Sequence, residues 1–279
     1  MKKVLITGCN GQLGRALNQL LEGSDVDIIN TDVAELDICD MAQVRALLTK
    51  EKPDTIINCA AHTAVDKCET DAENARRINT LGPENLATVA KEINAQMVQV
   101  STDYVFSGDA DTPYTEEDTP GPQSVYGSTK LAGEQAVSSI LERYYIVRTA
   151  WLYGDGNNFV KTMLRLVETH DTITVVNDQF GSPTSALELG RMILHIVDSG
   201  EYGCYHGTCE GSTSWYGFAC KIFALTGSHV TVVPVTTDEY PAAAAKRPAY
   251  SVLENKRLNS QGSYRMKHWE DALIEYLEK

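Results

Sequence analysis

The sequence predicts an α/β protein: a Rossmann-type, doubly wound parallel sheet followed by a smaller C-terminal substrate-binding domain. A glycine-rich turn near the N-terminus joins an apolar run to an amphipathic stretch, and strand-like and helix-like segments then alternate through the first half. Within that half, Tyr126 and Lys130 stand four residues apart. We place the dinucleotide-binding domain at residues 1–150 and the substrate-binding part mainly at 151–279, with some later segments returning to the sheet.

The N-terminus has the strand, glycine turn and helix of a dinucleotide-binding site. An apolar, β-branched run at 2–7 leads into Gly8, Gly11 and Gly14, after which leucines and alanines recur at helical spacing. Gly8 allows the tight turn, Gly11 lets the backbone approach a pyrophosphate, and Gly14 lets the helix pack close to the strand. The spacing is G-x-x-G-x-x-G rather than G-x-G-x-x-G, so the strand and helix around the glycines carry the assignment.

The second apolar run ends in Asp32, twenty-four residues beyond Gly8. A carboxylate at this distance is placed to accept hydrogen bonds from the adenosine ribose and would repel a 2′-phosphate. Arg15, directly after the third glycine, could reach the same region. The sequence therefore favours NADH slightly and leaves NADPH open.

Tyr126, Lys130 and Thr102 form a candidate catalytic group. Residues four apart project from one face of a helix, about 6 Å apart along its axis. A phenol with a pKa of about 10 is a poor acid-base group at neutral pH, an ammonium beside it favours the phenolate, and a hydroxyl from another element can orient a substrate carbonyl. These groups are what carbonyl–alcohol redox chemistry requires when a nicotinamide carries the hydride. Because Tyr-x-x-x-Lys also occurs on ordinary helices, the pair gains its meaning from the glycine turn.

The other segments complete the alternation. A small, polar stretch at 60–66 is typical of a loop pressed against a ligand. Thr102 and Trp151 each follow a strand, and open α/β sheets bind ligands at the carboxyl ends of their strands. Further predicted helices lie at 41–48, 71–93 with a break at Gly82-Pro83, 158–167 and 186–198, and further strands at 55–59, 97–101, 146–150, 173–176, 202–206 and 230–235.

Composition and charge restrict the partners. The net charge of −14 and the pI near 4.8 argue against nucleic acid and anionic membranes. An anionic small substrate would need a local basic cluster, for which Lys246-Arg247 and Arg165 are candidates. We expect no signal peptide and no membrane span. Seven cysteines without C-x-x-C spacing indicate neither a disulfide framework nor a zinc site, so we expect reduced thiols in a cytoplasmic protein.

With these residues the chain resembles the extended short-chain dehydrogenase/reductases and, among them, the dTDP-4-dehydrorhamnose reductases, over almost its whole length. The glycine and Tyr/Lys motifs are shared across the superfamily. The strings S-T-D-Y-V-F at 101–106 and D-Q-F-G-S-P-T at 178–184 are far more specific. The remaining matches are N-C-A-A-H-T-A-V-D at 58–66, V-Y-G-S-T-K-L-A-G-E at 125–134, N-N-F at 157–159 and Arg247-Pro248.

The resemblance implies NAD(P)H-dependent reduction of the C4 keto group of dTDP-4-dehydro-L-rhamnose to give dTDP-L-rhamnose. It implies that Tyr126 donates the proton, that Lys130 lowers the pKa of this phenol and holds the nicotinamide ribose, and that Thr102 hydrogen-bonds the reacting oxygen. The implied substrate contacts are Thr102, Asp103, Tyr104 and Trp151. The implied cofactor contacts, beside Gly8 and Gly14 of the turn, are Gly11, Gln12, Leu13, Asp32, Asp37, Ile38, Ala61, His62, Thr63, Tyr126 and Lys130.

The resemblance also bears on metal binding and on alternative functions. Some relatives form a metal-linked dimer through a glutamate two residues past the third glycine, where this chain has Ala16; Glu188 could match another ligand, but the set is incomplete. We therefore expect no metal and leave a homodimer open. Two alternatives remain: a reductase of another dTDP-4-keto-6-deoxy sugar, and a non-catalytic, nicotinamide-binding regulatory subunit. Intact Thr102, Tyr126 and Lys130 argue against the second.

Overall fold

The computed structural model describes residues 1–240 and 243–278. The strands are β1 Lys3–Thr7, β2 Asp27–Thr31, β3 Thr55–Asn58, β4 Gln96–Thr102, β5 Tyr144–Thr149, β6 Leu152–Tyr153, β7 Thr172–Val176, β8 Phe180–Gly181, β9 Thr184–Ser185, β10 Gly203–His206, β11 Thr213–Ser214 and β12 Thr231–Val235. The α-helices are α1 Gln12–Leu21, α2 Met41–Glu51, α3 Val65–Thr70, α4 Ala72–Arg76, α5 Gly82–Glu92, α6 Val125–Ile140, α7 Phe159–Leu166, α8 Ala186–Ser199, α9 Trp215–Thr226, α10 Lys256–Gln261 and α11 Trp269–Leu277. A π-helical turn spans Arg77–Leu81, and 3₁₀ turns span Asp103–Val105 and Thr237–Glu239.

Six parallel strands form the central sheet in the order β10-β5-β4-β3-β1-β2, which confirms the predicted fold class. From β1 the chain moves outward to β2 and then crosses to β3 on the other side of β1. The strand order therefore reverses between β1 and β3, and the loops that leave their carboxyl ends diverge around a crevice. At the opposite edge, β10 from the second half of the chain pairs with β5.

Helices cover both faces of the sheet because its inner strands are apolar on both sides. The face carrying Val4 and Ile6 packs against the buried leucines of α1 and the apolar stripe of α8. The face carrying Leu5 and Ile56 packs against α2, α5 and the C-terminal part of α6. Two closed cores result, and they hold the carboxyl edge of the sheet rigid.

The second half builds its own core beside this edge. Strands β7 and β12 pair in parallel, and α7, α9 and α11 pack around Phe218, Ile222 and Leu273. The short pairs β6–β9 and β8–β11 bring the turn-rich segment at 177–184 beside the carboxyl end of β5. None of the helices in residues 1–240 and 243–278 is both long enough and apolar enough to cross a membrane.

The helical stretch predicted at 71–93 consists of α4, the π-helical turn and α5. Pro83 lies in the first turn of α5, where its missing N–H removes no intrahelical hydrogen bond, so it starts a helix rather than only breaking one. Helices α3, α9, α10 and α11 were not predicted. The division of the chain at residue 150 stays a prediction.

Candidate active site

A cleft of about 1530 Å³ lies between the carboxyl ends of β1, β3, β4 and β5 and the C-terminal part of the chain. Both halves line it, as a ligand-binding crevice at a strand-order reversal requires. Of the seventeen predicted catalytic, cofactor and substrate contacts, fourteen lie on its wall: Gly8, Gly11, Gln12, Leu13, Gly14, Asp32, Ala61, Thr63, Thr102, Asp103, Tyr104, Tyr126, Lys130 and Trp151.

Three predicted cofactor contacts, Asp37, Ile38 and His62, are not part of this wall. The Asp37 carboxylate accepts hydrogen bonds from the Cys39 amide at 2.9 Å and the Arg77 guanidinium at 3.2 Å, which together hold its pKa below the ordinary value. Ile38 is buried against α5. The backbone of His62 exchanges hydrogen bonds with the Asn79 side chain. The contacts seen for these three are with other protein groups, and direct contact with a cofactor stays a prediction for them.

The glycine turn fits a dinucleotide pyrophosphate. Gly8 has φ +62°, and a Cβ there would lie 2.9 Å from the Ala60 nitrogen; a Cβ on Gly14 would lie 2.5 Å from the Gly8 carbonyl oxygen. The N-cap of α1, Gly11, offers no side-chain cap, and the first turn has no acidic residue. The N–H groups in the first turn of α1 have no acceptor within the helix, and together with the helix dipole they favour an anion in the cleft.

Asp32 lies beside the glycine turn at the end of β2. Its carboxylate accepts hydrogen bonds from the amides of Asn10 at 3.2 Å and Val33 at 2.8 Å, and the Glu35 carboxylate accepts the Asp32 amide at 2.9 Å. The sequence offered Arg15 as a partner for a 2′-phosphate, but its guanidinium pairs with Asp155 at 3.3 Å. The carboxylate that this end of the cleft presents is therefore that of Asp32, and Glu35 lies next to it.

Helix α6 carries Tyr126 and Lys130 into the cleft. Burial raises the pKa of the Tyr126 phenol far above its ordinary value, and the hydrogen bond with Thr102 opposes this shift. Burial lowers the pKa of Lys130 to about 8, and Glu134, one turn further along α6, opposes it. The Lys130 ammonium donates to the Val100 carbonyl at 2.6 Å. The phenol is therefore protonated at neutral pH, and its net pKa shift is upward rather than the downward shift expected from the sequence.

The wall of the cleft holds buried polar atoms without hydrogen-bond partners among the described residues. They are the Ser101 and Thr149 hydroxyl oxygens, the Gln12 side-chain oxygen and one carboxylate oxygen of Asp103. The other Asp103 oxygen accepts from the Thr102 hydroxyl at 2.8 Å, and burial raises the pKa of Asp103 to about 6. Unpaired buried polar atoms are costly, so they indicate where a ligand rich in hydroxyl and carbonyl groups would bind.

An indole pair forms another part of the wall. Trp151 has φ +47°, a strained conformation for a bulky residue, and its ring stacks on Trp215 at a centroid distance of 3.5 Å and an interplanar angle of 6°. A Cβ on Gly181 would lie 2.4 Å from the Trp151 ring, so the glycine of D-Q-F-G makes room for the indole. Trp215 begins the unpredicted helix α9, and no sequence signal pointed to it.

Lys246 and Arg247 reach the cleft, whereas Arg165 is exposed on α7 and is not part of the wall. Arg247 donates to the Tyr104 hydroxyl at 3.1 Å and to the Asp66 carboxylate at 2.6 Å. Of the basic groups proposed from the sequence, the pair at 246–247 is therefore the one that the fold brings to the site.

Glu188, the residue considered as a metal ligand, is buried with its carboxylate fully engaged. It accepts hydrogen bonds from the Arg191 guanidinium, the Tyr264 hydroxyl and the Lys267 amide. In residues 1–240 and 243–278, no three His, Cys, Asp or Glu side chains are grouped to hold a metal ion. The expectation of a metal-free protein stays a prediction.

Replacing Gly181 by Ala should force the Trp151 indole off Trp215, because the new Cβ would overlap the ring. We expect the free energy of unfolding in urea to fall by about 1–3 kcal/mol and the near-UV circular dichroism of the stacked indoles to change. Gly121→Ala is the matched control, since a Cβ there has its nearest contact at 3.8 Å. An unchanged near-UV spectrum in the Gly181 variant would contradict the packing.

Comparison with known proteins places this geometry in a family. Residues 1–279 match the family described as RmlD substrate binding domain. A dTDP-4-dehydrorhamnose reductase of Clostridium acetobutylicum is 52% identical, with a TM-score of 0.97 and coverage of 99% of this chain and 98% of its own. The Bacillus anthracis dTDP-4-dehydrorhamnose reductase solved with NADP is 43% identical, with a TM-score of 0.97 and coverage of 100% and 99%.

Curated relatives agree with this placement. The dTDP-4-dehydrorhamnose reductase of Streptomyces griseus is 41% identical over 97% of this chain and 91% of its own. A Streptomyces niveus protein named dTDP-4-keto-6-deoxy-D-glucose reductase is 40% identical over 97% of this chain and 95% of its own. From its glycine turn to its last helix, this chain belongs to the RmlD substrate-binding-domain family of reductases.

Proposed function

We propose that this protein reduces the C4 keto group of dTDP-4-dehydro-L-rhamnose with NADH or NADPH to give dTDP-L-rhamnose. The observation that carries the proposal is the convergence of Tyr126, Lys130 and Thr102 beside the glycine turn. Family membership supports the reaction class, because similar proteins are named as reductases of this keto sugar.

In this proposal Tyr126, Thr102 and Lys130 have different roles in the reduction of the carbonyl group. A bound nicotinamide would supply the hydride for C4. Tyr126 holds a proton at its phenol oxygen and gives it to the carbonyl oxygen, so that the ketone gains one hydride and one proton and becomes an alcohol. Thr102 orients the same oxygen through its hydroxyl. Lys130 offers a buried positive charge that stabilises the phenolate left behind.

The cofactor and the substrate enter from opposite ends of the cleft in this proposal. Asp103, Tyr104 and Trp151 contact the deoxysugar, and Lys246 and Arg247 meet the diphosphate, since they are cations on the C-terminal wall. The residues that would hold the dinucleotide are Gly8, Gly11, Gln12, Leu13, Gly14, Asp32, Ala61, Thr63, Tyr126 and Lys130.

Two further features belong to the proposal. The division into a cofactor part at 1–150 and a substrate part at 151–279 is supported by the position of the cleft between them. A cytoplasmic location is supported by seven cysteines that all carry free thiols. A homodimer remains part of the hypothesis, to be checked by light scattering.

A second candidate is a reductase of another dTDP-4-keto-6-deoxy sugar, favoured by the name of the Streptomyces niveus relative. The deciding experiment incubates the purified protein with dTDP-4-dehydro-L-rhamnose and NADH or NADPH and identifies the product sugar by NMR. We expect dTDP-L-rhamnose. The opposite C4 epimer would favour the second candidate, and cofactor binding without turnover would favour a regulatory subunit.

Tyr126→Phe should retain the fold and lower kcat by roughly 10²–10⁴-fold, because it removes the proton donor and little volume. Turnover is followed by nicotinamide absorbance, and folding by circular dichroism. Tyr144→Phe is the matched control, since Tyr144 lies at the amino end of β5, away from the cleft. Near-normal turnover of the Tyr126 variant would remove this phenol from the mechanism.

Asp32→Ala should shift the ratio of kcat/KM for NADPH over NADH upward by roughly tenfold, since a hydrogen bond to a charged group contributes about 1.5–3 kcal/mol. The wild type should prefer NADH or use both. Asp25→Ala, which removes an exposed carboxylate before β2, should leave the ratio unchanged. A strong wild-type preference for NADPH that the Asp32 variant does not alter would contradict this role.

The pKa of Lys130 near 8 predicts that the pH profile of kcat/KM, which reports on the free enzyme, has a descending alkaline limb. The ammonium is charged below this pH and neutral above it, so kcat/KM should fall as the pH rises through about 8. Tyr126 stays protonated throughout, because its pKa is raised. Lys130→Arg should lose the limb, since a guanidinium keeps its charge. The same limb in the arginine variant would show that another group causes it.

A further inference from the structure

Helix α3 carries two carboxylates that contact two different segments of the chain, one in the C-terminal part and one at the start of α6, and the proposed reaction uses neither of them. The Asp66 carboxylate accepts hydrogen bonds from the Ala245 amide at 3.0 Å and from the Arg247 guanidinium at 2.6 Å. The Glu69 carboxylate accepts the amide of Val125 at 2.8 Å. Val125 is the first residue of α6 and directly precedes the proton donor.

The contact through Asp66 continues into the site. Arg247 uses its other terminal nitrogen to donate to the Tyr104 hydroxyl at 3.1 Å. The Tyr104 ring in turn meets the Tyr126 ring edge to face, with centroids 5.5 Å apart at 76°. One carboxylate on the cofactor side thus fixes a guanidinium from the far end of the chain, and this guanidinium fixes an aromatic neighbour of the catalytic phenol.

The position of α3 explains why these two side chains can act together. The loop that precedes it carries Ala61 and Thr63, which line the cleft and belong to the proposed cofactor contacts. Asp66 and Glu69 are three residues apart, a spacing that places side chains on one helix face. A guanidinium that already donates a hydrogen bond to Asp66 loses less conformational entropy when it binds a further anion. The hydrogen bonds of Arg247 therefore preorganise it to bind a diphosphate.

We propose that Asp66 is a positioning residue, which holds residues 243–248 against the cleft and presents Arg247 to the diphosphate of the substrate. Glu69 of the same helix holds the first turn of α6. The proposal rests on the proposed function, because it assigns Arg247 an anionic partner. Asp66 touches neither reacting atom, and its effect should pass through Arg247.

Asp66→Asn keeps the size of the side chain and removes its charge. We expect KM for the keto sugar nucleotide, and Kd for dTDP alone, to rise roughly threefold to tenfold. We expect kcat and the Kd of NADH to stay within about twofold, since the glycine turn is untouched. Hydrogen exchange at 243–248 should become faster. Glu73→Gln on α4, an exposed carboxylate, is the matched control and should alter none of these values.

A double-mutant cycle tests whether Asp66 acts through Arg247. Arg247→Lys should raise Kd for dTDP by itself, and adding Asp66→Asn to it should raise Kd little further. Additive effects would overturn the proposal, as would faster exchange in the Asp66 variant with an unchanged Kd. The dTDP and exchange measurements need no turnover. Failure of the wild type to reduce the keto sugar would therefore refute the proposed function while these readouts still decide the role of Asp66.

Discussion

The site depends on keeping one ammonium charged where water is excluded. Lys130 is 3% exposed, and its burial alone would favour the neutral amine. Glu134 opposes this from one turn further along α6, and is itself held by Arg148 of β5 through hydrogen bonds of 2.7 and 3.0 Å. This buried pair joins α6 to β5. Because β5 pairs with β4, the pair also fixes the helix relative to β4, whose Val100 carbonyl accepts a hydrogen bond from the Lys130 ammonium.

Several features around the same cleft lower the stability of the fold and favour ligand binding. Trp151 has a left-handed backbone, Ser101 and Thr149 have buried hydroxyl groups without partners, and the N-terminus of α1 lacks a cap. The strained backbone and each unpaired hydroxyl oppose folding by about 1–3 kcal/mol, and a glycine N-cap costs about a few tenths of a kcal/mol. These features lie along one edge of the sheet. This edge therefore differs from the two closed cores, which consist of packed apolar side chains.

The sequence predicted the elements that depend on local pattern and missed those that depend on distant contacts. The glycine turn, the strand ending at Thr102 and the helix of Tyr126 follow from periodicity and from short motifs. Trp215 was missed because α9 was missed, and its role arises from a stack with Trp151, sixty-four residues away in the chain. Asp66 and Arg247 were each part of a quoted motif, yet 181 residues separate them, and no local rule pairs residues across such a distance.

The wall composition also explains how an acidic protein could hold the dTDP-sugar that we propose as its substrate. The net charge of −14 would repel a nucleotide diphosphate at long range, but charges beyond a Debye length of about 8 Å are largely screened. Groups within the cleft therefore decide the binding. Lys246 and Arg247 lie on its C-terminal wall, and Asp32 lies on the wall beside the glycine turn. This separation of charge agrees with the proposal that the two anionic ligands occupy different ends of the cleft. In the role proposed for it, Asp66 offsets part of the positive charge of Arg247 and in return fixes the orientation of the guanidinium. Orientation matters more for the proposed contact, because a planar guanidinium binds phosphate oxygens through paired N–H groups.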